Sequence, residues 1–366
     1  MKTEKSTEEY FMPGDWLGVA NKILKDGGLV MVLGATDTGK SICSLLFANF
    51  WTKHGRKVAM VDMDMGQSDL GPPTTIGLLL MNKPVKSLRE VSADSLYFIG
   101  STSPLNYFLS TICGTKKLID EGKKKEVEIV IVDTTGLVKG DSGRILKESM
   151  IDIAFPSHII ALQRRNELDH ILKNINLTDE MIIHRLSPCN EVRRKTYFQR
   201  REAREEKFRK YFEQSSSQEI DLNNLNIKGS YYCSGVALGE EDLSFLEKTL
   251  MNEIIYAERT WEGMYIITKE RLPEKFGGFF QIKKRFNTEK IMIIEGDKFK
   301  NLLVSLDDQR GFVVSLGIIQ SCNFQEKYFT IYTPLKDLSK VFSLKFGAIQ
   351  LGLDGEELGK VYPGEI

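Results

Sequence analysis

Short apolar runs alternate with amphipathic helical patterns from residue 28 to about residue 255. In chain order, the runs that have the length of buried strands are 29–33, 57–61, 96–99, 128–132, 158–162 and 181–186. Strands that alternate with helices build a parallel sheet, because the helix supplies the crossover that a parallel connection needs. The pattern therefore predicts an α/β fold with a mostly parallel, doubly wound sheet.

The pattern changes after residue 263, where the apolar segments become short and closely spaced. The segments 290–294, 311–319 and 328–332 are separated by Asp, Asn and Gly residues, which favour turns. Such spacing is typical of a β-rich domain, either a barrel or a sandwich. We therefore expect a leader at 1–27, an α/β domain at 28–263 and a smaller C-terminal β-rich domain at 264–366.

A phosphate-binding motif directly follows the first predicted strand. Its residues are Gly34, Ala35, Thr36, Asp37, Thr38, Gly39, Lys40 and Ser41. A strand before the motif and a helix after it are the context that a Gly-x4-Gly-Lys-Ser loop needs. Glycines let the backbone wrap around a phosphate chain, so that amides and the following helix N-terminus point at the oxygens. The sequence therefore predicts a nucleotide site, with Lys40 at the β- and γ-phosphates and Ser41 as a Mg²⁺ ligand.

Acidic residues follow two other predicted strands. Asp62 and Asp64 come after the second strand, and Asp133 closes the run 128–132. Because the carboxyl ends of parallel strands face the ligand crevice, one acid can order Mg²⁺ while another accepts a proton from an attacking hydroxyl. Asp133 is then the Walker B residue that reaches Mg²⁺ through water. The alternative for these segments is a set of capped, solvated turns.

Two further features indicate an acceptor for the phosphate. The amide of Gln67, close to the acid pair, is suited to contact a substrate phosphate. The segment 185–210 holds ten basic residues against four acidic ones, with Arg200 and Arg204 on one helical face and Arg201 beside it. An arginine row of this kind suits a lid that closes over transferring phosphate. Its alternative is a solvated charged helix.

Composition limits the classes of function. Acidic and basic residues number 50 each, so no overall field attracts the chain to nucleic acid or membrane, and any polyanion site is local. The five cysteines lack a Cys-x-x-Cys pair, which favours reduced thiols over disulfides or zinc. No apolar stretch approaches the ~18 residues of a spanning helix, so we expect a soluble, cytoplasmic protein with no membrane partner.

Three motifs together resemble those of the polynucleotide 5′-hydroxyl kinases, a family that includes the RNA kinase subunit of the mRNA cleavage factor, rRNA-processing kinases and archaeal relatives. The motifs are the phosphate loop, Asp62-x-Asp64-x-Gly66-Gln67-Ser68 with Gly71-Pro72-Pro73, and the segment 134–140. The basic segment ending in Tyr211-Phe212 also matches. The likeness spans roughly residues 12–260, and the chain looks like a compact, prokaryotic-type member.

The resemblance implies ATP-dependent transfer of the γ-phosphate to the 5′-hydroxyl of RNA or DNA, with ATP and Mg²⁺ bound and an RNA-processing protein as a possible partner. Asp64 corresponds to the family's general base, and Asp62 supports the metal shell. Gln67 corresponds to a contact with the phosphate next to the acceptor sugar. The other correspondences are the clasp, formed by Thr134, Thr135 and Gly136, and the lid arginines Arg200, Arg201 and Arg204.

The chain also departs from the family pattern. Leu137 stands where eukaryotic members carry a Trp on which an RNA base stacks, a contact worth ~1–3 kcal/mol. In the leader, Tyr10, Phe11 or Trp16 either stacks on adenine or packs on the core. Two other functions stay open. One is a nucleotide-driven switch ATPase, against which Ala35 counts because dimerising members carry a lysine there; the other is an ATP-bound scaffold without kinase activity.

Overall fold

A computed structural model describes residues 12–175, 180–188, 196–273, 277–362 and 364–366. The chain divides into two compact units, Met1–Arg200 and Arg201–Ile366, which we call the first and second unit. Each unit has its own sheets and its own hydrophobic core. The two units are therefore described separately.

The first unit is built on a seven-stranded sheet with the order β4-β3-β2-β5-β1-β6-β7. Its strands are β1 (Gly28–Leu33), β2 (Val58–Asp62), β3 (Thr75–Met81), β4 (Ser95–Phe98), β5 (Ile129–Asp133), β6 (His158–Leu162) and β7 (Ile182–Leu186). Along the part of the sheet ordered β2-β5-β1-β6-β7, all neighbouring strands are parallel. Strand β3 runs antiparallel to both β2 and β4. The predicted α/β fold with a mostly parallel sheet is confirmed.

Strand β3 was not predicted from the sequence. It is a continuous apolar segment, Thr-Ile-Gly-Leu-Leu-Leu-Met, without the alternation that marks a half-buried strand. A short apolar run of this kind does not distinguish a strand from a buried helix. Its place is decided by hydrogen bonds to β2, which pair Val58 with Met81 and Asp62 with Gly77.

Helices cover the sheet of the first unit. They are α1 (Gly14–Asp26), α2 (Lys40–Lys53), α3 (Phe108–Lys124), α4 (Gly140–Ala154) and α5 (Asp169–Leu172). Helix α6 (Tyr197–Phe212) contains the division between the two units. Trp16 on α1 is 1% exposed and packs against Phe47, so this leader aromatic belongs to the core. Tyr10 and Phe11, the other two leader aromatics, lie outside the described residues.

The second unit is rich in β-structure. One sheet has the order β10-β11-β12-β13, and the other contains β18-β17-β14-β15-β16-β8 with β9 beside β17. The strands are β8 (Ser216–Asp221), β9 (Asn226–Lys228), β10 (Val236–Ala237), β11 (Ile254–Arg259), β12 (Met264–Thr268), β13 (Ile291–Glu295), β14 (Leu302–Asp307), β15 (Val313–Asn323), β16 (Tyr328–Thr333), β17 (Ser343–Leu351) and β18 (Glu357–Lys360). Two helices, α7 (Glu240–Leu250) and α8 (Phe279–Phe286), complete it. The expected C-terminal β-rich region is confirmed.

The observed division differs from the boundary expected at residue 263. Strand β8 pairs with β16, bringing Glu219 opposite Thr330, and β9 pairs with β17. These pairings join segments more than 100 residues apart in the chain, which the hydrophobic pattern of a single segment does not reveal. Residues 216–228 therefore share a sheet with the end of the chain.

Other composition-based expectations concern thiols, metals and membranes. The described cysteines, Cys43, Cys113, Cys233 and Cys322, are free thiols. Among the described residues, no group of three or more His, Cys, Asp or Glu side chains is arranged to hold a metal ion. None of the helices in the described ranges has both the length and the apolar character required to cross a membrane.

Candidate active site

The phosphate loop, residues 34–41, joins β1 to α2. Asp37 and Gly39 adopt left-handed backbone angles, with φ of 58° and 83°. A Cβ atom on Gly34 would lie 2.6 Å from Thr38 Oγ1 and 2.9 Å from the Leu162 carbonyl oxygen, so a side chain does not fit there. The Thr38 hydroxyl also donates to the Ala35 carbonyl at 2.8 Å. The loop therefore closes on itself in the compact form that wraps a phosphate chain.

Two cationic features meet at this loop. Helix α2 begins at Lys40, so its first amides point into the loop and favour an anion there. The Lys40 side chain is 7% exposed, and its Nζ donates to the Ala35 carbonyl at 2.9 Å. Lys40 is thus held inside the loop. A bound phosphate would replace the Ala35 carbonyl as the acceptor of the hydrogen bond from its Nζ.

Asp62 and Asp133 lie side by side at the ends of β2 and β5, where they are directly paired in the sheet register. Asp62 is 3% exposed and accepts three hydrogen bonds, from the amides of Asp64 and Asp69, both at 2.9 Å, and from the Ser68 hydroxyl at 3.1 Å. Asp133 is 1% exposed, and its Oδ1 has no hydrogen-bond partner within the described ranges. Asp62 therefore orders the loop after β2, and Asp133 presents an unsatisfied oxygen.

Burial raises the pKa values of both acids. The pKa of Asp62 rises to about 6, mainly through loss of water and then through repulsion from Asp64. The pKa of Asp133 rises to about 7 through burial and repulsion from Asp62, although Lys40 and a hydrogen bond from Ser41 act in the opposite direction. Two neighbouring carboxyls that hold protons near neutral pH form a place where an added cation is favoured.

Asp64 has a more open environment than Asp62. Its Oδ1 accepts hydrogen bonds from the amides of Gly66 at 3.1 Å and Gln67 at 3.0 Å, which fix the carboxylate. In the described structure its Oδ2 accepts no hydrogen bond, and the residue is half-buried. The Gln67 amide donates to the carbonyls of Gly66 at 2.7 Å and Arg200 at 3.1 Å. One carboxylate oxygen is therefore oriented and available to a ligand.

The clasp, Thr134, Thr135 and Gly136, follows β5 and packs against the phosphate loop. Thr134 Oγ1 donates to the Val32 carbonyl on β1 at 2.7 Å. A Cβ atom on Gly136 would lie 2.5 Å from Thr36 Oγ1 and 2.8 Å from Thr36 Cα, so only glycine allows this approach. The end of β5 and the clasp that follows it therefore lie against the phosphate loop, as the alternation of strands and helices predicts.

Lys147 on α4 lies outside the motifs that the sequence indicates. Its side chain is fully buried, and its Nζ donates to the Thr135 carbonyl at 2.7 Å and to Thr135 Oγ1 at 3.1 Å. The signal was present in the pattern, because Lys147 falls at helical spacing with the buried Gly143, Met150 and Ala154. A lysine on the apolar face of a predicted helix marks a buried charge.

The predicted lid arginines make different contacts. Arg200 Nη2 donates to Asp37 Oδ2 at 2.6 Å, and Arg164 Nη2 donates to the carbonyl of the same Asp37 at 3.1 Å. Both contacts lie within the first unit, on the phosphate loop itself. Of the three predicted lid arginines, Arg200 is the one that the first unit holds at the site.

Arg201 and Arg204 belong to the second unit, where both contact Glu357. Arg201 Nη2 donates to the Glu357 carbonyl at 2.7 Å, and its Nε donates to Glu205 at 2.8 Å. Arg204 is 8% exposed and grips the Glu357 carboxylate with Nε at 2.5 Å and Nη2 at 3.0 Å. These bonds are structural contacts, and a role for Arg201 and Arg204 in phosphate transfer stays a prediction.

Comparison with known proteins gives the family. Residues 34–214 match the family model of the mRNA cleavage and polyadenylation factor CLP1 P-loop. A polyribonucleotide 5′-hydroxyl-kinase of Pyrococcus abyssi is 34% identical over 98% of this chain and 98% of its own length. A protein of the same name from Methanocaldococcus jannaschii is also 34% identical, covering 90% of this chain and 89% of its own.

More distant proteins share part of the chain or the fold alone. A CLP1 homologue of Anopheles gambiae is 29% identical over 51% of this chain and 45% of its own length. The solved Clp1p–Pcf11p complex contains a chain with a TM-score of 0.58 at 11% identity, covering 92% of this chain and 78% of that one. The chain therefore belongs to the family of CLP1 P-loop proteins and polyribonucleotide 5′-hydroxyl-kinases, as the motifs had indicated.

Proposed function

We infer that the protein is an ATP-dependent polyribonucleotide 5′-hydroxyl-kinase, which transfers the γ-phosphate of ATP to the 5′-hydroxyl end of RNA. The observation that carries this inference is the 34% identity, over almost the whole of both chains, to proteins of that name. The site has the groups that this reaction needs, since the phosphate loop follows β1 and the oriented carboxylate of Asp64 follows β2, and both strands neighbour β5. The enzyme is a phosphotransferase with an alcohol acceptor.

Asp64 is our candidate for the general base. Its Oδ1 is held by two backbone amides, and its Oδ2 is directed away from those bonds and can accept the proton of the 5′-hydroxyl. Asp62 is less suited to this task, because both of its oxygens already accept hydrogen bonds. Lys40 and the N-terminus of α2 would neutralise the phosphate chain as the γ-phosphoryl group moves.

Ser41, Asp133 and Asp62 are the candidate residues for Mg²⁺. They fit such an ion because Asp133 Oδ1 is buried without a partner, and because burial raises the pKa values of both carboxyls. Mg²⁺ keeps several waters and uses one or two protein oxygens together with substrate phosphates, so a three-acid cluster is not required. When bound, the ion would offset the negative charge on the β- and γ-phosphates.

The acceptor would lie between Gln67 and the clasp. Gln67 is proposed to contact the phosphate next to the terminal sugar, and Thr134, Thr135 and Gly136 to hold the terminal nucleotide. Arg200 is proposed to leave Asp37 for the transferring phosphate when the nucleotide is bound. A cytoplasmic location and a protein partner in RNA processing belong to the same proposal.

The test is transfer of labelled γ-phosphate from ATP to short single- and double-stranded oligonucleotides with 5′-hydroxyl ends. We expect label on RNA, with loss of transfer in Lys40→Ala and in Asp64→Asn. Lys53→Ala, at the other end of α2, is the matched control and should transfer normally. DNA oligonucleotides serve as the second acceptor arm.

The same assay separates the kinase from its alternatives. ATP that is bound or hydrolysed without any labelled oligonucleotide would support a switch ATPase or a scaffold and would overturn the kinase. Transfer that survives Asp64→Asn would leave the kinase in place but would exclude Asp64 as the general base.

A further inference from the structure

A buried lysine lies directly beneath the clasp in the first unit. Lys147 is fully buried, and it is one of the largest side chains in the protein with less than 2% exposure. Its Nζ donates to the carbonyl of Thr135 at 2.7 Å and to Thr135 Oγ1 at 3.1 Å. Both acceptors belong to one clasp residue, so Lys147 fixes the backbone and the side chain of Thr135 together.

The clasp is anchored separately at each of its three residues. Thr134 is bonded to the Val32 carbonyl, Gly136 packs against Thr36, and Thr135 is bonded to Lys147. The first two anchors connect the clasp to β1 and the phosphate loop, whereas the third connects it to α4. Without Lys147, the middle residue of the clasp would lose both of the bonds that orient it.

Burial of a lysine at this position is costly. Among the described residues, neither acceptor of Lys147 is a carboxylate, so its charge has no direct counter-ion. Loss of water lowers its pKa, and the neighbouring Lys40 lowers it further, while Asp133 and Asp64 act in the opposite direction. An apolar residue on this face of α4, beside Leu146 and Met150, would avoid that desolvation cost. The fold keeps a lysine where packing alone favours a hydrophobic side chain.

We propose that Lys147 is a positioning residue for the RNA acceptor, acting through Thr135. By fixing the clasp, it holds the 5′-terminal nucleotide where its hydroxyl faces Asp64. Asp133 and Asp64 are among the charges that act on the pKa of its amino group, so Lys147 also responds electrostatically to the acid cluster. The proposal rests on the inferred kinase activity, because the clasp is assigned to the acceptor there.

The test separates acceptor positioning from simple stability. Lys147→Met preserves the length of the side chain but removes both hydrogen bonds and the charge. We expect kcat/KM for 5′-hydroxyl RNA to fall about 100-fold, the scale at which a small misplacement of reacting groups acts. The KM for RNA should rise, whereas the dissociation constant of a fluorescent ATP analogue should change less than about threefold. Met150→Leu, a buried neighbour on the same helix, is the control and should change neither value.

A double-mutant cycle tests whether Lys147 acts through Thr135. Thr135→Val removes one of the two acceptors, so its effect on the KM for RNA should be much smaller in the Lys147→Met background than in the wild type. Additive effects of the two substitutions would overturn the proposed route. If Lys147→Met does not fold, Lys147→Gln keeps an amide donor and takes its place in the cycle.

Each possible failure has its own signature. A wild-type protein that transfers no phosphate to RNA would overturn the kinase inference itself. A wild-type protein that transfers phosphate, beside a folded Lys147→Met with unchanged KM and kcat for RNA, would overturn only the role of Lys147. If the dissociation constant of the ATP analogue rose as much as the KM for RNA, Lys147 would be a merely structural lysine of the whole site, and the proposal would also be overturned.

Discussion

Arg200 and Arg204 lie one helical turn apart on α6, but they differ in their partners and in their exposure to solvent. Arg200 bonds to Asp37 in the phosphate loop, with 28% of its side chain exposed. Arg204 bonds to Glu357 through two nitrogens, and both partners are 9% exposed. The first is a partly accessible charge that contacts the phosphate loop, and the second belongs to a buried ion pair.

Helical spacing alone therefore does not assign a role to an arginine. A row of arginines on one face looks uniform in the sequence. The role of each guanidinium group depends on the acid that it contacts. A buried pair loses much when one partner is removed, whereas a partly exposed pair can exchange partners at little cost. We therefore expect Arg200 to serve catalysis and Arg204 to serve stability.

Arg200→Ala should have the largest effect on activity. An arginine that stabilises charge on a transferring phosphate is worth roughly 10³ to 10⁵ in kcat, and we expect a loss in this range with an unchanged melting temperature. Single-turnover phosphate transfer to RNA measures it. Arg209→Ala, an exposed arginine on the same helix paired with Glu206, is the matched control. Near-normal turnover of Arg200→Ala would remove the contrast between the two arginines.

Arg204→Ala should act on the free energy of unfolding. Removing one partner of a buried pair leaves the other charge uncompensated, which costs about 3–5 kcal/mol. Urea denaturation measures the loss, and the double variant Arg204→Leu with Glu357→Leu should recover much of it. If Arg204→Ala were as stable as the wild type but inactive, Arg204 would join Arg200 as a lid arginine.

The acids beside the phosphate loop should make the stability of the nucleotide-free protein depend on pH. The pKa values of Asp62 and Asp133 in the folded state, about 6 and about 7, lie above the ordinary value, so the folded state binds protons more tightly than the unfolded chain. The resulting stabilisation is fully present below about pH 4, the ordinary pKa of an aspartate, and is lost progressively as the pH rises to 6 and 7. Denaturation from about pH 5 to pH 8 should show this decline.

Asp133→Asn is the variant that sharpens this prediction. It removes the carboxyl with the higher pKa and the repulsion that it exerts on Asp62, so the decline with pH should be much shallower. Met150→Leu, which changes no titratable group, should leave the slope unchanged. An equal slope in wild type and Asp133→Asn would mean that other groups control the pH response.

Arg201→Ala should have the smallest effect. Its pair with Glu205 is an i,i+4 contact in which the arginine is 37% exposed, so we expect a loss of less than about 1 kcal/mol and little change in kcat. The same denaturation and transfer assays measure both quantities. A large fall in kcat would show that Arg201 releases its second-unit contacts to reach substrate.

Much of the first unit could be predicted from the sequence because its signals are local. The phosphate loop, the acids after β2 and β5, and six strands of the sheet each follow from the residues of one short segment. Strand β3 and Lys147 were missed for a related reason. An unbroken apolar run and a lysine on an apolar face become informative only when the partner, Val58 on β2 or Thr135 in the clasp, is known.

The amino-acid sequence was enough to predict the family, the phosphate loop and the order of most strands and helices of the first unit, since these depend on periodicity and on residues adjacent in the chain. The tertiary structure was needed to bring Asp62 and Asp133 together in a buried position and to make Glu357 the partner of Arg204. Burial and long-range pairing set these outcomes. Both depend on which distant segments meet, and a linear pattern of residue types does not record that.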